Sequence, residues 1–371
     1  MNSPTAILSP PHWALPELPT SARVRRYLLE APSLADFYRK YSCHVAPIIS
    51  TNYDITDLCN LHCEGCLFFE GTDYHAHRDE RTPEEYDRFF AAEAARGINF
   101  PYFAGGEPAL AQDRLRIAQR HFGRGMIFTN GTVRIDRDLP FTIHVSLWGD
   151  AHSTGKFRGA PIFGKSLNNY VGDPRATFIY TVTHLNIDSI PGVAQVCHDH
   201  GVRLSFNHFS ATEQYIAKLK IGAPNDDDYF RFSTPENNLR LTHADRERAR
   251  DLLDRMIDDY PRTVVYSHTY NAWSSHPESL YRIDPQTGRA IDCPIRNAPF
   301  HKHHHVDLQE STGKCCTPNV DCRDCRAYAI GHATFRHRIR DHLSSLEDFT
   351  RWVEVVESWC RLFLLGWDKL A

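Results

Sequence analysis

Residues 57–66 have the sequence DLCNLHCEGC, with cysteines at Cys59, Cys63 and Cys66 in the spacing C-x3-C-x2-C. The stretch follows a β-branched run at residues 47–52, which predicts a strand. Three thiolates on a short loop suit three irons of a [4Fe–4S] cluster and leave the fourth iron open. Open metal positions are typical of catalytic sites, whereas structural sites are closed. The alternatives are a zinc loop or three unrelated thiols, and the position after a strand disfavours both.

Strand-like and helix-like segments alternate from residue 46 to residue 211. This alternation predicts parallel strands joined by helices and therefore an α/β fold, a partial (β/α)6 barrel in which chemistry sits at the carboxyl ends of the strands. A doubly wound sheet is the competing fold, but no G-x-G-x-x-G follows the first strand. The predicted strands are residues 47–52, 98–103, 126–129, 142–147, 177–182 and 203–207. The predicted helices of this region are residues 82–96, 108–120, 166–170 and 191–200.

Length and composition limit the classes of protein to consider. The chain of 371 residues predicts three parts: an extension at 1–45, the barrel at 46–211 and a C-terminal α+β extension at 212–371, loop-like at 285–330. The net charge is 42 − 46 = −4, which disfavours a nucleic-acid partner. There is no long apolar run and no secretory signal, so we expect no membrane span and a cytoplasmic protein.

Two segments together resemble the radical S-adenosylmethionine (radical SAM) enzymes. The first is the cysteine loop, and the second is Gly105-Gly106-Glu107-Pro108 at the end of the second predicted strand, which is similar to the family's G-G-E-P. The resemblance implies that Cys59, Cys63 and Cys66 hold a [4Fe–4S] cluster whose open iron binds SAM. It also implies that Gly105, Gly106 and Glu107 meet the ammonium group of SAM.

Later segments match the family in the same order. Thr129-Asn130-Gly131 is similar to T-N-G, and residues 145–147 are similar to the start of V-S-L-D-G. The resemblance implies SAM contacts for Asn130, Ser146 and Arg158. One departure is Gly65, where many members carry an aromatic residue beside adenine. Phe68 or Phe69 is the expected substitute, and a contact of adenine with backbone alone is the alternative.

A second group of cysteines lies in the C-terminal extension. Its members are Cys293, Cys315, Cys316, Cys322 and Cys325. Cys322-x2-Cys325 with distant cysteines fits a second [4Fe–4S] cluster, as in a reduced version of the family's SPASM extension, or a zinc site. Free thiols are the remaining alternative. Since Cys315 and Cys316 are adjacent, only one of them is expected to be a ligand, and the choice stays open.

The remaining histidines and cysteines outside these groups are given ordinary structural interpretations. His301, His303, His304 and His305 are expected in a solvated loop, with a role as ligands or in positioning substrate as the alternative. Lone cysteines are most simply small buried apolar residues, and these are Cys43, Cys197 and Cys360.

The resemblance predicts an enzyme that cleaves SAM reductively and abstracts hydrogen from its substrate through the 5′-deoxyadenosyl radical. We expect a small-molecule substrate (a natural product, sugar, nucleoside or lipid precursor) and an external one-electron donor of the flavodoxin or ferredoxin type. A maturase of a ribosomal peptide is the second hypothesis, since the short N-terminal extension offers no peptide-binding domain. A zinc-binding scaffold without activity is the third. No catalytic side chain can be assigned.

Overall fold

The computed structural model describes residues 22–70, 78–311 and 320–370. Its centre is a seven-stranded parallel sheet in the order β6-β5-β4-β3-β2-β1-β7. The strands are β1 (Ser50–Thr56), β2 (Phe100–Gly105), β3 (Met126–Thr129), β4 (Thr142–Leu147), β5 (Ala176–Val182), β6 (Arg203–His208) and β7 (His303–His304). β6 and β7 are the two ends of the sheet, so the barrel is open and the predicted partial-barrel fold is confirmed.

Helices connect the first six strands. They are α3 (Pro83–Ala95), α4 (Gln112–Ala118), α5 (Ala151–Arg158), α6 (Phe163–Tyr170) and α7 (Ile190–Asp199). The capping box predicted for α3 is present, because Thr82 accepts from the Glu85 amide and the Glu85 carboxylate accepts from the Thr82 amide. The single helix predicted at 108–120 is instead a 3-10 turn, Pro108–Leu110, followed by α4.

The segments before β1 and after β6 also contain helices. They form α1 (Ala22–Glu30), α2 (Pro32–Lys40), α8 (Glu213–Ile221), α9 (His243–Asp259), α10 (His268–Ser274), α11 (Pro294–Asn297), α12 (Tyr328–His337) and α13 (Leu346–Phe363). Tyr27 of α1 stacks on Phe349 of α13 with ring centroids 5.8 Å apart. His144 of β4 is hydrogen-bonded to the Leu362 carbonyl, so α13 also contacts the sheet.

The sequence-based prediction of a loop at 285–330 was wrong in part, because the region contains the short helix α11 as well as a strand. This region contributes β7, which pairs in parallel with β1 through Asn52–His303 and Tyr53–His304. A chain segment some 250 positions away therefore extends the sheet beyond the first six strands. None of the described helices is both long enough and apolar enough for a membrane span.

Candidate active site

A cavity of about 320 Å³ lies at the carboxyl ends of the strands. Cys59, Cys63 and Cys66 line it, and they also pack together with Leu61 and Ile162. The loop that follows β1 thus brings the three predicted ligands to one place. In parallel α/β sheets this edge is where ligands bind.

The cysteine loop is fixed by a second loop, at residues 229–233. The buried Glu64 carboxylate accepts hydrogen bonds from the amides of Arg231, at 2.7 Å, and Ser233, at 3.1 Å. The Gly65 amide donates to the Tyr229 carbonyl at 2.8 Å. Because the side chain of Glu64 and the backbone of Gly65 are both held, the thiols on either side, Cys63 and Cys66, have a defined position.

The thiols lie in a poorly hydrated environment. Burial raises the pKa of Cys59 to about 11 and that of Cys66 to about 12. Metal ions bind the thiolate form, so a cationic centre bound here would offset the cost of the buried charge. Three sulfur donors facing one cavity fit the ligand set of an iron–sulfur cluster with one open iron.

The GGEP segment lies against the cysteine loop. A Cβ on Gly106 would be 2.3 Å from the Leu58 carbonyl oxygen, so only glycine permits this approach. Gly105 has φ +105°, and a Cβ there would be 2.6 Å from the Thr56 carbonyl oxygen. The two glycines therefore let β2 end directly beside the start of the loop.

Glu107 is buried and lines the cavity. Its Oε1 accepts from Thr129 Oγ1 at 2.6 Å and from the Ala109 amide at 2.9 Å, while Oε2 accepts from the Asn130 amide at 2.6 Å. Burial raises the pKa of Glu107, although these hydrogen bonds oppose the shift. The carboxylate is thus held rigidly in the wall of the cavity.

Asn130 lines the cavity, but its side chain is hydrogen-bonded to the cysteine loop. Its amide Nδ2 donates to Asn60 Oδ1 at 2.8 Å, and its Oδ1 accepts from the Thr132 amide at 2.9 Å. Asn60 Nδ2 in turn donates to Thr132 Oγ1 at 2.8 Å. This network ties the cysteine loop to the end of β3.

Ser146 and Arg158 lie side by side in the cavity wall. The Arg158 guanidinium donates to the Ser146 carbonyl at 2.5 Å, and Ser146 Oγ accepts from Trp148 Nε1 at 3.1 Å. Arg158 is 5% exposed, and its Nε has no hydrogen-bond partner among the described residues. The arginine is a buried cation facing the same space as the thiols.

An aromatic residue takes the place that Gly65 leaves open. A Cβ on Gly65, which has φ +60°, would lie 3.0 Å from Phe209 Cζ and 3.2 Å from the Tyr215 ring. Phe209, directly after β6, lines the cavity, as does Phe68. Phe69 instead stacks on Tyr229 at 4.6 Å. The sequence suggested Phe68 or Phe69 and missed Phe209, whose position after a strand was the available signal.

The β1–β7 side of the cavity is polar, which sequence reasoning missed. Asn52 and Asp54 of β1 and His303 of β7 line it. Burial would raise the pKa of Asp54, but His303 and His305 outweigh it and hold that pKa below its ordinary value. The alternation of polar residues with Tyr53 and Ile55 along β1 was the signal that one face carries function.

The histidine run is buried, so the expected solvated loop was wrong. The exposed fractions of His301, His303, His304 and His305 are 3%, 2%, 6% and 6%. The cause is the pairing of β7 with β1, which takes this segment into the sheet. His301 is also hydrogen-bonded to the Ser50 carbonyl at 3.1 Å.

The described members of the second cysteine group lie together in a separate apolar cluster. Cys293 and Cys325 are buried there, and Cys322 packs against them. Cys315 and Cys316 lie outside the described residues. Of the lone cysteines, Cys197 and Cys360 are buried as expected, whereas Cys43 is exposed on a π-helical turn, Tyr41–Val45.

Comparison with solved structures agrees with this architecture. Streptococcus suis SuiB bound to S-adenosylmethionine superimposes with a TM-score of 0.51 and 13% identity, over 80% of this chain and 66% of SuiB. Native anSMEcpe with bound AdoMet gives a TM-score of 0.50 and 14% identity, over 85% of this chain and 87% of that chain. The resemblance to radical SAM enzymes is therefore confirmed at the level of the fold, as a partial barrel.

Sequence comparison adds one short match. A GTP 3′,8-cyclase from Alkaliphilus metalliredigens (strain QYMF) is 42% identical over 62 residues, which are 16% of this chain and 19% of that protein. The chain thus spans about a fifth of this curated relative and just under two thirds of SuiB. No protein-family model matches the sequence. These comparisons do not confirm a SPASM-like extension.

Proposed function

We propose that this chain is a radical SAM enzyme that abstracts hydrogen from a small polar molecule. One observation carries the proposal: the three cysteines, Glu107 and the Ser146–Arg158 pair all line one cavity at the carboxyl edge of the sheet. The zinc scaffold accounts for the thiols alone, and it gives no reason for a buried carboxylate and a buried arginine beside them.

Cys59, Cys63 and Cys66 would hold a [4Fe–4S] cluster, with SAM on the open iron. When bound and reduced, this pair of cofactors supplies a primary carbon radical. The other residues named have roles of binding and orientation. The fixed Glu107 carboxylate suits an ammonium group, and the Arg158 guanidinium suits a carboxylate. Phe68 and Phe209 offer flat apolar contacts to a base.

The C-terminal part of the chain encloses this site. Residues 327–330, at the start of α12, line the cavity together with the cysteine loop. Enclosure keeps water and other molecules from a reactive radical. The polar side formed by Asn52, Asp54 and His303 supports a small polar substrate, because buried hydrogen-bonding groups need polar partners.

A peptide substrate is the second candidate. It is favoured by the fold likeness to SuiB bound to precursor peptide SuiA, with a TM-score of 0.51 and 12% identity over 77% of this chain and 64% of SuiB. In this alternative, a peptide side chain would enter the cavity. A second [4Fe–4S] cluster at Cys293, Cys322, Cys325 and one of Cys315 and Cys316, and an external one-electron donor, complete the proposal.

The test is anaerobic incubation of the reconstituted protein with SAM and dithionite. We expect the reconstituted protein to form 5′-deoxyadenosine and methionine from SAM. Protein without iron should form neither product. Deuterated small-molecule and peptide fractions, added separately, then identify the substrate class by deuterium transfer into 5′-deoxyadenosine. Absence of 5′-deoxyadenosine from protein with a full complement of iron overturns the proposal.

A further inference from the structure

Two histidines of the buried run face the cavity side of the sheet together. His303 and His305 are two positions apart, so they project from the same face of β7 and its continuation. Their ring centroids are 5.1 Å apart. His304, between them, projects to the opposite face, where its ring lies 5.0 Å from that of Phe89 and its Nε2 3.5 Å from Glu93.

Asp54 of the neighbouring strand β1 completes the cluster. Its Oδ2 lies 2.7 Å from His303 Nε2 and 3.6 Å from His305 Nδ1. One donor atom from each of the three side chains lies within 4.8 Å of the other two. All three residues are buried, with exposed fractions of 4% for Asp54, 2% for His303 and 6% for His305.

We propose that Asp54, His303 and His305 form a mononuclear site for a divalent first-row metal, separate from the cysteine sites. Two imidazoles and one carboxylate, with remaining positions open, are the ligand set of catalytic zinc and of non-haem ferrous iron. His303 on β7, His305 directly after that strand and Asp54 on the paired strand bring these donors together. The metal replaces the proton that Asp54 and His303 share in their hydrogen bond, so binding releases protons.

The open positions of this metal face the cavity, because Asp54 and His303 both line it. Asn52, paired in register with His303, lines the same wall, and its Nδ2 is buried without a hydrogen-bond partner among the described residues. A metal-bound oxygen would satisfy that donor. The ligand of this metal is therefore a small molecule with a hydroxyl, carbonyl or carboxylate oxygen. The further statement that this molecule is the substrate of the enzyme rests on the proposed function.

The test uses cobalt, which can be distinguished from cluster iron. The full chain, with its cysteine sites filled by anaerobic reconstitution, is dialysed against Co²⁺, and bound cobalt is counted by mass spectrometry. We expect one cobalt per chain with only nitrogen and oxygen neighbours in its X-ray absorption spectrum. Sulfur neighbours, or no bound cobalt, overturn the site.

Matched variants locate the ion. Asp54→Asn and His305→Gln should each weaken cobalt binding by about tenfold or more, whereas His304→Gln, on the opposite face, should retain it. Equal retention in all three variants overturns the assignment. If a ligand variant fails to fold, the absorption spectrum of the parent protein still decides the ligand type.

Formate tests the open position. This small oxygen-donor anion should change the cobalt edge spectrum of the parent protein, and an unchanged spectrum overturns the cavity-facing position. None of these measurements requires SAM cleavage. Cobalt bound as expected in a protein that makes no 5′-deoxyadenosine would contradict the proposed function and leave the metal site standing.

Discussion

The two groups of cysteines differ in their surroundings. The first group lies on a loop held by backbone and carboxylate hydrogen bonds, and its sulfurs face a cavity lined by a buried arginine and a buried glutamate. The described members of the second group lie in an apolar cluster with Leu280, Tyr281 and Ile330. The difference supports the proposal of an open site at the first group and a closed one at the second. Open and closed metal sites differ in this way.

Loss of one sulfur from the open group should have the largest effect. We expect Cys63→Ala to abolish formation of 5′-deoxyadenosine, because a cluster with two protein ligands is not retained. The matched control is Cys43→Ser, which removes an exposed thiol and should leave the rate unchanged. A Cys63→Ala protein that cleaves SAM at the parent rate would show that the loop is not the cluster site.

The second-largest loss of activity is expected when the GGEP segment displaces the cysteine loop. In Gly106→Ala the new methyl group meets the Leu58 carbonyl oxygen at 2.3 Å, so residues 57–58 must move. A shift of about 1 Å at the reacting centre can lower the rate about 100-fold. The measurement is the rate of 5′-deoxyadenosine formation at equal iron content.

Gly192→Ala is the control for that substitution. Gly192 lies in α7 with nothing within 4 Å of the added Cβ, so alanine there should be neutral or should raise the free energy of unfolding. Equal rates for the two alanine variants would mean that close contact between GGEP and the loop is unimportant.

Weakening the hydrogen bonds between Glu64 of the cysteine loop and residues 231 and 233 should have an intermediate effect on activity. Glu64→Gln leaves one of the amides of Arg231 and Ser233 facing an NH2 group. We expect a cost of about 1–3 kcal/mol in the free energy of unfolding and roughly a tenfold lower rate. Glu84→Gln, on the exposed side of α3, should change neither quantity. Denaturant titration and the SAM assay measure the two effects.

The closed group should contribute least to SAM cleavage. Cys322→Ala is expected to lower the iron content by one cluster while 5′-deoxyadenosine formation stays within about twofold, because the cofactor site is built elsewhere. Iron and zinc analysis with the SAM assay test this together. Unchanged iron with loss of one zinc would assign zinc to the second site, and unchanged metal would remove the second site altogether.

The sequence was sufficient for elements determined by local signals. The capping box at Thr82 and Glu85 and the bounds of β3 and β4 were predicted correctly, because caps and short apolar runs act over a few residues. The cysteine loop and GGEP were also found, since each is contiguous. The strand predicted at 47–52 is shifted to Ser50–Thr56, because the polar residue Asp54 belongs to the strand and lines the cavity.

The pairing of strands from distant parts of the chain could not be predicted from local sequence patterns. The histidine run contains no periodic apolar pattern, and only the edge of β1, far earlier in the chain, makes β7 a strand. Phe209 and Asp54 join the site for the same reason, through the arrangement of the sheet. The division at 45/46 and 211/212 stays a prediction, although the described part of the N-terminal extension stacks on α13.

The parallel pairing of β1 with β7 has a consequence for biosynthesis. Asp54 and His303 are 249 positions apart. At ribosomal rates of about 5–20 residues per second, the outer edge of β1 waits roughly 12–50 s for its neighbour to be made. During that interval, a nascent sheet with an unprotected polar border is exposed to other chains, and faster translation or a chaperone that shields this border would raise the yield of native enzyme.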